Sequence, residues 1–561
     1  MIEAGALGEL PLSNQRCDVI TTTTEEIADI LLRCEEDGSA SPYVHDDQAT
    51  NCKDLKKSPG PIVPVSSNGQ DIFIVSDLHI AAGRRRDGRY EGSENFFYDE
   101  SFQRFLQNAQ LTSNAKNQIL IINGDFIDFL RVMDVPGRPE RLTKVQKKLT
   151  QLKIRRRKSK IPRLKSDPRL RQEFVDWQQA LAKIGIKRSV ENLIDSITDK
   201  EELYGLKTDD FKSIYRIALV VKGHPEFFDA LAAWIGDGNR LIIVKGNHDL
   251  EWYWRPVRNY LRLALAEGLA RQKGGSTDAD VKQALSNVLP RLTFIDHAML
   301  IDEDFYVEHG HPYERLTRVI GETTVADGNE LNIPFGSFFN RYLIDFVELQ
   351  YPFIDNVRPT KSVLPLMLRN RFFTGLRLLY DHLSVLAKTV PRGYVNFIFG
   401  QHIIQRIALI VLALTVPPAL LIWYQCVFAE GWMLRIVEWV AVLAGMYAAI
   451  QAVAQLQLSE PDSLSEFAKL RFAENPGYRL MTFGHTHTAD QFEDGGHWFY
   501  NTGTWIPIVE FSAADIRENR CFTYLHLAHD GNGKLQATAV QRWDDEAARG
   551  ENFVIIKREG Q

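Results

Sequence analysis

Five apolar runs in this chain each break off into aspartate, histidine or asparagine, and that pattern restricts the fold more than any other feature. The clusters are Asp77-Leu78-His79, Gly124-Asp125-Phe126-Ile127-Asp128, Gly246-Asn247-His248-Asp249, His309-Gly310-His311 and Gly484-His485-Thr486-His487. Four directly follow short runs of β-branched and aromatic residues, and the fifth ends Arg479-Leu480-Met481-Thr482-Phe483. Such runs read as buried strands, so the polar residues sit at strand ends, where loops can converge on one site. Oxygen and imidazole donors without cysteine suit divalent Mn, Fe, Zn or Mg. The combination points to hydrolysis of phosphate esters.

In order and residue type, the clusters resemble the calcineurin-like metallophosphoesterase superfamily: D-x-H, G-D-x-x-D, G-N-H-(D/E), a later H, then G-H-x-H. The likeness covers residues 71–312 and 476–510. It implies a four-layer α/β/β/α core and a pair of divalent cations sharing Asp125 as a bridging carboxylate. Asp77, His79 and His487 would complete one cation site, and Asn247, His309 and His485 the other. A bridging carboxylate suits a separation of about 3.5–4 Å, at which both the attacking and the leaving oxygen can be clamped. His248 is the implied catalytic residue that binds no metal, with Asp128 as the carboxylate that orients it and Asp249 as an outer partner. The family places its ligand at His309, while the position of His311 varies. His224 and His297 lie outside every cluster and read as structural. Asn501-Thr502-Gly503-Thr504-Trp505 resembles the asparagine-glycine turn that follows the last cluster in relatives.

Two departures narrow the reading. Protein serine/threonine phosphatases carry Arg-Gly after the second cluster and Glu after Asn-His, whereas here Phe129-Leu130 and Asp249 occupy those places. Pyrophosphatases acting on a nucleotide-linked lipid precursor look similar around Asp77 and His485, but usually have Arg where His248 stands.

At 561 residues the chain exceeds one ordinary domain. A net charge of −6 gives no sign of nucleic-acid binding, and five dispersed cysteines favour a reducing compartment. Residues 1–70 are polar and read as a flexible tail, with one capped helix beginning near Thr24. The core is expected over 71–312 and 476–561, the first part carrying a basic helical insertion at about 131–215. Within that insertion, Lys144 to Lys165 could attract anionic headgroups or nucleic acid, or be a solvated charged face. Arg84-Arg85-Arg86 could engage substrate phosphate, or be a solvated loop.

A second, helical insertion is expected over 313–475, with a hydrophobic hairpin at about 403–458. Ile407 to Ala429 is 23 residues without a charge, and Trp439 to Ser459 another 21. Each could cross a hydrocarbon core of about 30 Å. Two crossings return the chain to the side where His309 and His485 must meet. Basic residues such as Arg369, Arg377, Arg406 and Lys469 flank the spans on that side, which the positive-inside rule assigns to the cytoplasm. The alternative is a soluble cytoplasmic protein whose hairpin is buried or forms a lid. The expected function is hydrolysis of a phosphate or pyrophosphate ester at a membrane surface, on a lipid-linked or other small phosphoester. A metal-dependent nuclease and a catalytically silent membrane scaffold are the alternatives.

Overall fold

Every residue of strand Asp71–Val75 is buried, and its side chains divide between two cores. Ile72 and Ile74 enter a core between two sheets, while Phe73 and Val75 enter a core between sheet and helices. Strands Gln118–Asn123 and Arg240–Val244 alternate in the same way. Continuous apolar runs of this kind belong to parallel sheets covered on both faces.

The computed structural model describes residues 14–33, 61–136, 168–345, 464–510 and 521–553 apart from a few isolated positions, together with 515–516 and scattered residues between 357 and 445. The chain is a mixed α/β protein with two large mixed sheets and flanking helices. The larger sheet has the spatial order Arg549–Asn552, Leu535–Asp544, Thr523–His529, Asp71–Val75, Gln118–Asn123, Arg240–Val244, Leu292–Ile295. Its last four strands run parallel. The smaller sheet runs Ile62–Val65, Ala298–Ile301, Phe305–Glu308, Leu480–Phe483, His497–Asn501, Asp490–Asp494. Ile72, Ile121 and Val244 meet Met299, Val307 and Leu480 between the sheets. Helices Asp99–Thr112, Pro225–Gly236 and Arg255–Gln272 cover the outer face of the larger sheet. Helix Leu464–Glu474 covers the smaller one through Leu464, Ala468 and Phe472. Viewed edge-on, the order is helices, sheet, sheet, helix.

The tail over 1–70, read as flexible apart from one capped helix near Thr24, holds that helix in a longer form and a strand besides. Residues 14–33 form a helix whose Ile27 and Leu31, one turn apart, are fully buried. Asn259 donates to the Leu31 carbonyl at 3.2 Å, tying this helix to Arg255–Gln272. Strand Ile62–Val65 pairs in parallel with Ala298–Ile301. Its side chains complete the edge of the smaller sheet, so the folded unit begins before residue 71.

Most of the 403–458 hairpin and all of Lys144–Lys165 lie outside the described residues. Among the described residues no helix is long and apolar enough to cross a membrane. The insertion nevertheless leaves and returns at one place. Phe467 stacks on Tyr313 with ring centroids 5.0 Å apart, and Arg471 Nε donates to the Tyr313 hydroxyl at 2.8 Å.

A buried ionic cluster supports the loop after Asp71–Val75. His224 is fully buried, with Nδ1 2.8 Å from Asp99 and Nε2 3.2 Å from Glu94. Glu94 also accepts from the backbone of Ala81 and Gly83. Burial alone would lower the imidazole pKa, but Asp99 and Glu94 outweigh it and raise it to about 9. A raised histidine pKa stabilises the fold fully below about 6.5, and this contribution is lost as pH rises through about 9. The loss in unfolding free energy should be on the order of 3 kcal/mol. Urea unfolding at pH 6.5 and 9.5 would measure it, and the His224→Gln variant should lack this component.

Candidate metal centre

All five clusters emerge from the carboxyl ends of parallel strands, where open α/β sheets usually place their ligands. Asp71–Val75, Gln118–Asn123 and Arg240–Val244 carry the first three, and Phe305–Glu308 and Leu480–Phe483 the last two. Backbone bonds then lock the loops together. Asp77 N donates to Gly124 O at 3.2 Å, His79 N to Asp125 O at 2.9 Å, and Gly484 N to His309 O at 2.9 Å.

The side chains converge in overlapping groups. Asp77, His79 and His487 form one group, and Asp125, His309 and His485 another; within each, one potential ligand atom per residue lies within 4.8 Å of the others. Asp125 also groups with His79 and His248. His487 Nε2 lies 3.3 Å from Asp77 Oδ1 and 2.9 Å from His79 Nε2. Asp125 Oδ2 lies 3.7 Å from His79 Nε2 and 3.2 Å from His309 Nε2, so one oxygen faces both groups.

The opposite edge of each carboxylate is already occupied. Asp125 Oδ1 accepts from His248 N, and Asp77 Oδ2 from His485 N, both at 2.9 Å. Asn247 Oδ1 and His485 Nδ1 are buried without a hydrogen-bond partner among the described residues. Buried polar atoms are seldom left unsatisfied. An orphaned imidazole nitrogen within one of these groups, and an orphaned amide oxygen on the residue before His248, fit divalent cations, and the set of ligand atoms suits Mn, Fe, Zn or Mg.

Five of these residues sit in strained backbone. Ten non-glycine residues have positive φ among the described residues, and half are candidate ligands: Asp77 at 54°, His79 at 47°, Asp125 at 48°, His485 at 70° and His487 at 57°. The left-handed region costs most residues free energy and concentrates at functional sites.

The glycines of the clusters give the ligands room. A Cβ on Gly246 would lie 2.2 Å from Asp125 Oδ1 and 2.4 Å from its amide nitrogen. At Gly124, where φ is +81°, it would lie 2.3 Å from the His309 ring. Gly246→Ala should therefore displace Asp125 and destabilise the fold by about 1–3 kcal/mol. Thermal unfolding and metal content of the variant, both expected to fall, check this.

Each histidine whose second nitrogen has a described partner is anchored there. His309 Nδ1 lies 2.8 Å from the Asn123 carbonyl, which leaves Nε2 facing Asp125. Burial would lower the His309 pKa, but the facing Asp125 carboxylate raises it to about 9; a cation would feel the same field. Asp128 Oδ2 lies 3.2 Å from His79 Nδ1, 2.9 Å from His248 Nδ1 and 3.0 Å from Arg131 Nε. Burial works against ionising Asp128, yet these cationic and imidazole neighbours hold its carboxyl well below the usual range. Asp249 accepts from Gly246 N at 2.6 Å and Phe126 N at 2.9 Å, clamping the second cluster to the third. Burial, with Asp125 adding to it, pushes the Asp249 pKa up to about 7.

Six of the seven expected ligands are thus brought together with His248 and Asp128, and the seventh, Asn247, lies in the loop between Gly246 and His248 that packs on Asp125. His311 is buried, and among the described residues its Nδ1 has no hydrogen-bond partner and it belongs to none of the candidate ligand groups; its ring lies 5.5 Å from His309 and 6.4 Å from His485 between centroids. The Asn501 turn braces the centre: its amide donates to Gly484 O at 2.8 Å, and the Thr504 hydroxyl to Asp77 O at 2.7 Å. Arg84 does not reach toward it. Its guanidinium is engaged by Asp99 at 3.3 Å and Glu226 at 2.9 Å.

Sequence reasoning missed Arg131, Glu314 and Thr317. His485 Nε2 is 2.8 Å from Glu314 Oε2 and 3.2 Å from Thr317 Oγ1. An arginine three residues after Asp128 was a readable signal, because that spacing suits a local ion pair. Glu314 gave none. No family model, curated protein or solved structure matches this chain.

Proposed function

We propose that the chain is a calcineurin-like, dinuclear metallophosphoesterase that hydrolyses a phosphate or pyrophosphate ester. The observation that carries this reading is Asp125 Oδ2 lying between His79 and His309, with a candidate ligand group on either side. Asp77, His79, His487 and Asp125 would hold one divalent cation, and Asp125, Asn247, His309 and His485 the other. When bound, such ions supply Lewis acidity toward phosphoryl oxygens and make water nucleophilic near neutral pH.

The protein's own groups supply the rest. Asp128 holds His248 at Nδ1, so proton transfer to a leaving oxygen falls to Nε2. Neutral Asn247 limits the negative charge presented to an anionic substrate. The Asp249 clamp and the strained loops fix the ligands before substrate arrives, which removes reorganisation from the reaction.

A lipid-linked substrate at a membrane surface is the preferred class. The uncharged stretches 407–429 and 439–459 support it. So do the exposed apolar side chains Leu420, Trp423, Ile436, Val437 and Val440. A helix exposing apolar residues at consecutive positions gains little from water.

The test is hydrolysis by purified full-length protein in detergent, with Mn, Zn or Mg added. The panel would contain p-nitrophenyl phosphate, its bis ester, a phospholipid and a nucleotide-lipid pyrophosphate. Metal-dependent turnover of at least one ester, abolished by chelation, is expected. No turnover with any metal would overturn the reading.

A further inference from the structure

We infer that Glu314 is the positioning residue for one metal site: its carboxylate fixes His485 so that Nδ1, and not Nε2, binds the cation shared with Asp125, Asn247 and His309. This rests on the proposed metal centre and concerns how one half of it is built.

His485 has two nitrogens with opposite surroundings. Nε2 meets Glu314 Oε2 at 2.8 Å and Thr317 Oγ1 at 3.2 Å, whereas Nδ1 is buried with no hydrogen-bond partner among the described residues. The carboxylate can only accept, so Nε2 carries the hydrogen and Nδ1 presents its lone pair. The Thr317 hydroxyl already donates to the His311 carbonyl at 2.9 Å, so toward Nε2 it too acts as acceptor. The imidazole is held in one tautomer by two acceptors on one short segment. Loss of such a partner typically weakens metal binding 10–100-fold.

The segment's geometry explains why Glu314 can reach. Gly310, with φ of +105°, starts a short 3₁₀ turn over His311–Tyr313, and Thr317 closes it against the His311 carbonyl. The chain from His309 to Thr317 therefore supplies one ligand and the support for another that lies 171 residues away. It is also the root of the insertion, because Tyr313 is gripped by Phe467 and Arg471 on the returning helix. Asp128 does for His79 what Glu314 does for His485, so each half of the centre has its own carboxylate brace.

Calorimetric titration of metal-stripped full-length protein with Mn or Zn separates this inference from the reading beneath it. Wild type is expected to bind two cations per chain, and failure to do so would remove the metal centre itself. Glu314→Gln keeps the shape and can still accept a hydrogen bond but lacks the charge. It should bind one cation as wild type does and the second about 10–100-fold more weakly. Thr317→Val should weaken the same site by a smaller factor, and Glu314→Asp should recover part of the loss. Thermal unfolding of each metal-free variant, expected to match wild type, excludes a folding defect. Equal affinity at both sites in Glu314→Gln, or simultaneous loss of both cations, would overturn the assignment.

Discussion

Asp125→Ala should abolish hydrolysis and leave the protein unable to hold two cations at once. Asp125 Oδ2 faces His79 at 3.7 Å and His309 at 3.2 Å, so its removal strips a ligand from both groups. Its Oδ1 accepts from His248 N, so the third cluster also loses its tie to the second. Paired cations contribute several kcal/mol of transition-state stabilisation. At about 1.4 kcal/mol per factor of ten, the rate should fall roughly 10³-fold or more. Loss of the carboxylate should also leave His309 less basic in the metal-free protein, since Asp125 is what raises it. Turnover of an activated ester and metal content would be measured on the same preparation. Retention of either at the wild-type level would remove Asp125 from the bridging role.

His248→Ala tests the other half of the proposal, because it should separate metal binding from catalysis. The His248 backbone amide, which holds Asp125 at 2.9 Å, is unaffected by the substitution. The side chain contacts Asp128, which is still engaged by His79 and Arg131. Two cations should therefore remain, while kcat falls about 10²–10⁴-fold, the usual contribution of a positioned proton donor. The loss should depend on the leaving group. Esters of p-nitrophenol need little protonation and should suffer least, whereas alkyl esters should suffer most. Equal losses on both would point to a positioning role for His248.

Much of this architecture was readable because local pattern and global fold agree. Apolar runs such as Ile119–Ile122 are buried on both faces, and their ends carry the ligands, so strand prediction and site prediction reinforced each other. Glu314 was invisible for the opposite reason: it matters only through His485, and no sequence window contains both. Arg84 was left open between substrate phosphate and a solvated loop, because its partners Asp99 and Glu226 come from two separate helices that no local pattern links to it. The helix over 14–33 was read only from about Thr24 onward, where Ile27, Ala28 and Leu31 give it a buried stripe; the polar residues before Thr24 carry no such pattern. The hydrophobic hairpin is still an argument from sequence, since most of it lies outside the described residues.

The central claim is that strand ends from two sheets assemble a pair of cations around one carboxylate. Crystals grown with Mn, measured on both sides of the manganese absorption edge, address it directly. Two anomalous peaks about 3.5–4 Å apart are expected, with Asp125 between them, Asp77 and His487 beside one and Asn247 and His485 beside the other. A single peak, or none within reach of the Asp125 carboxylate, would contradict the account.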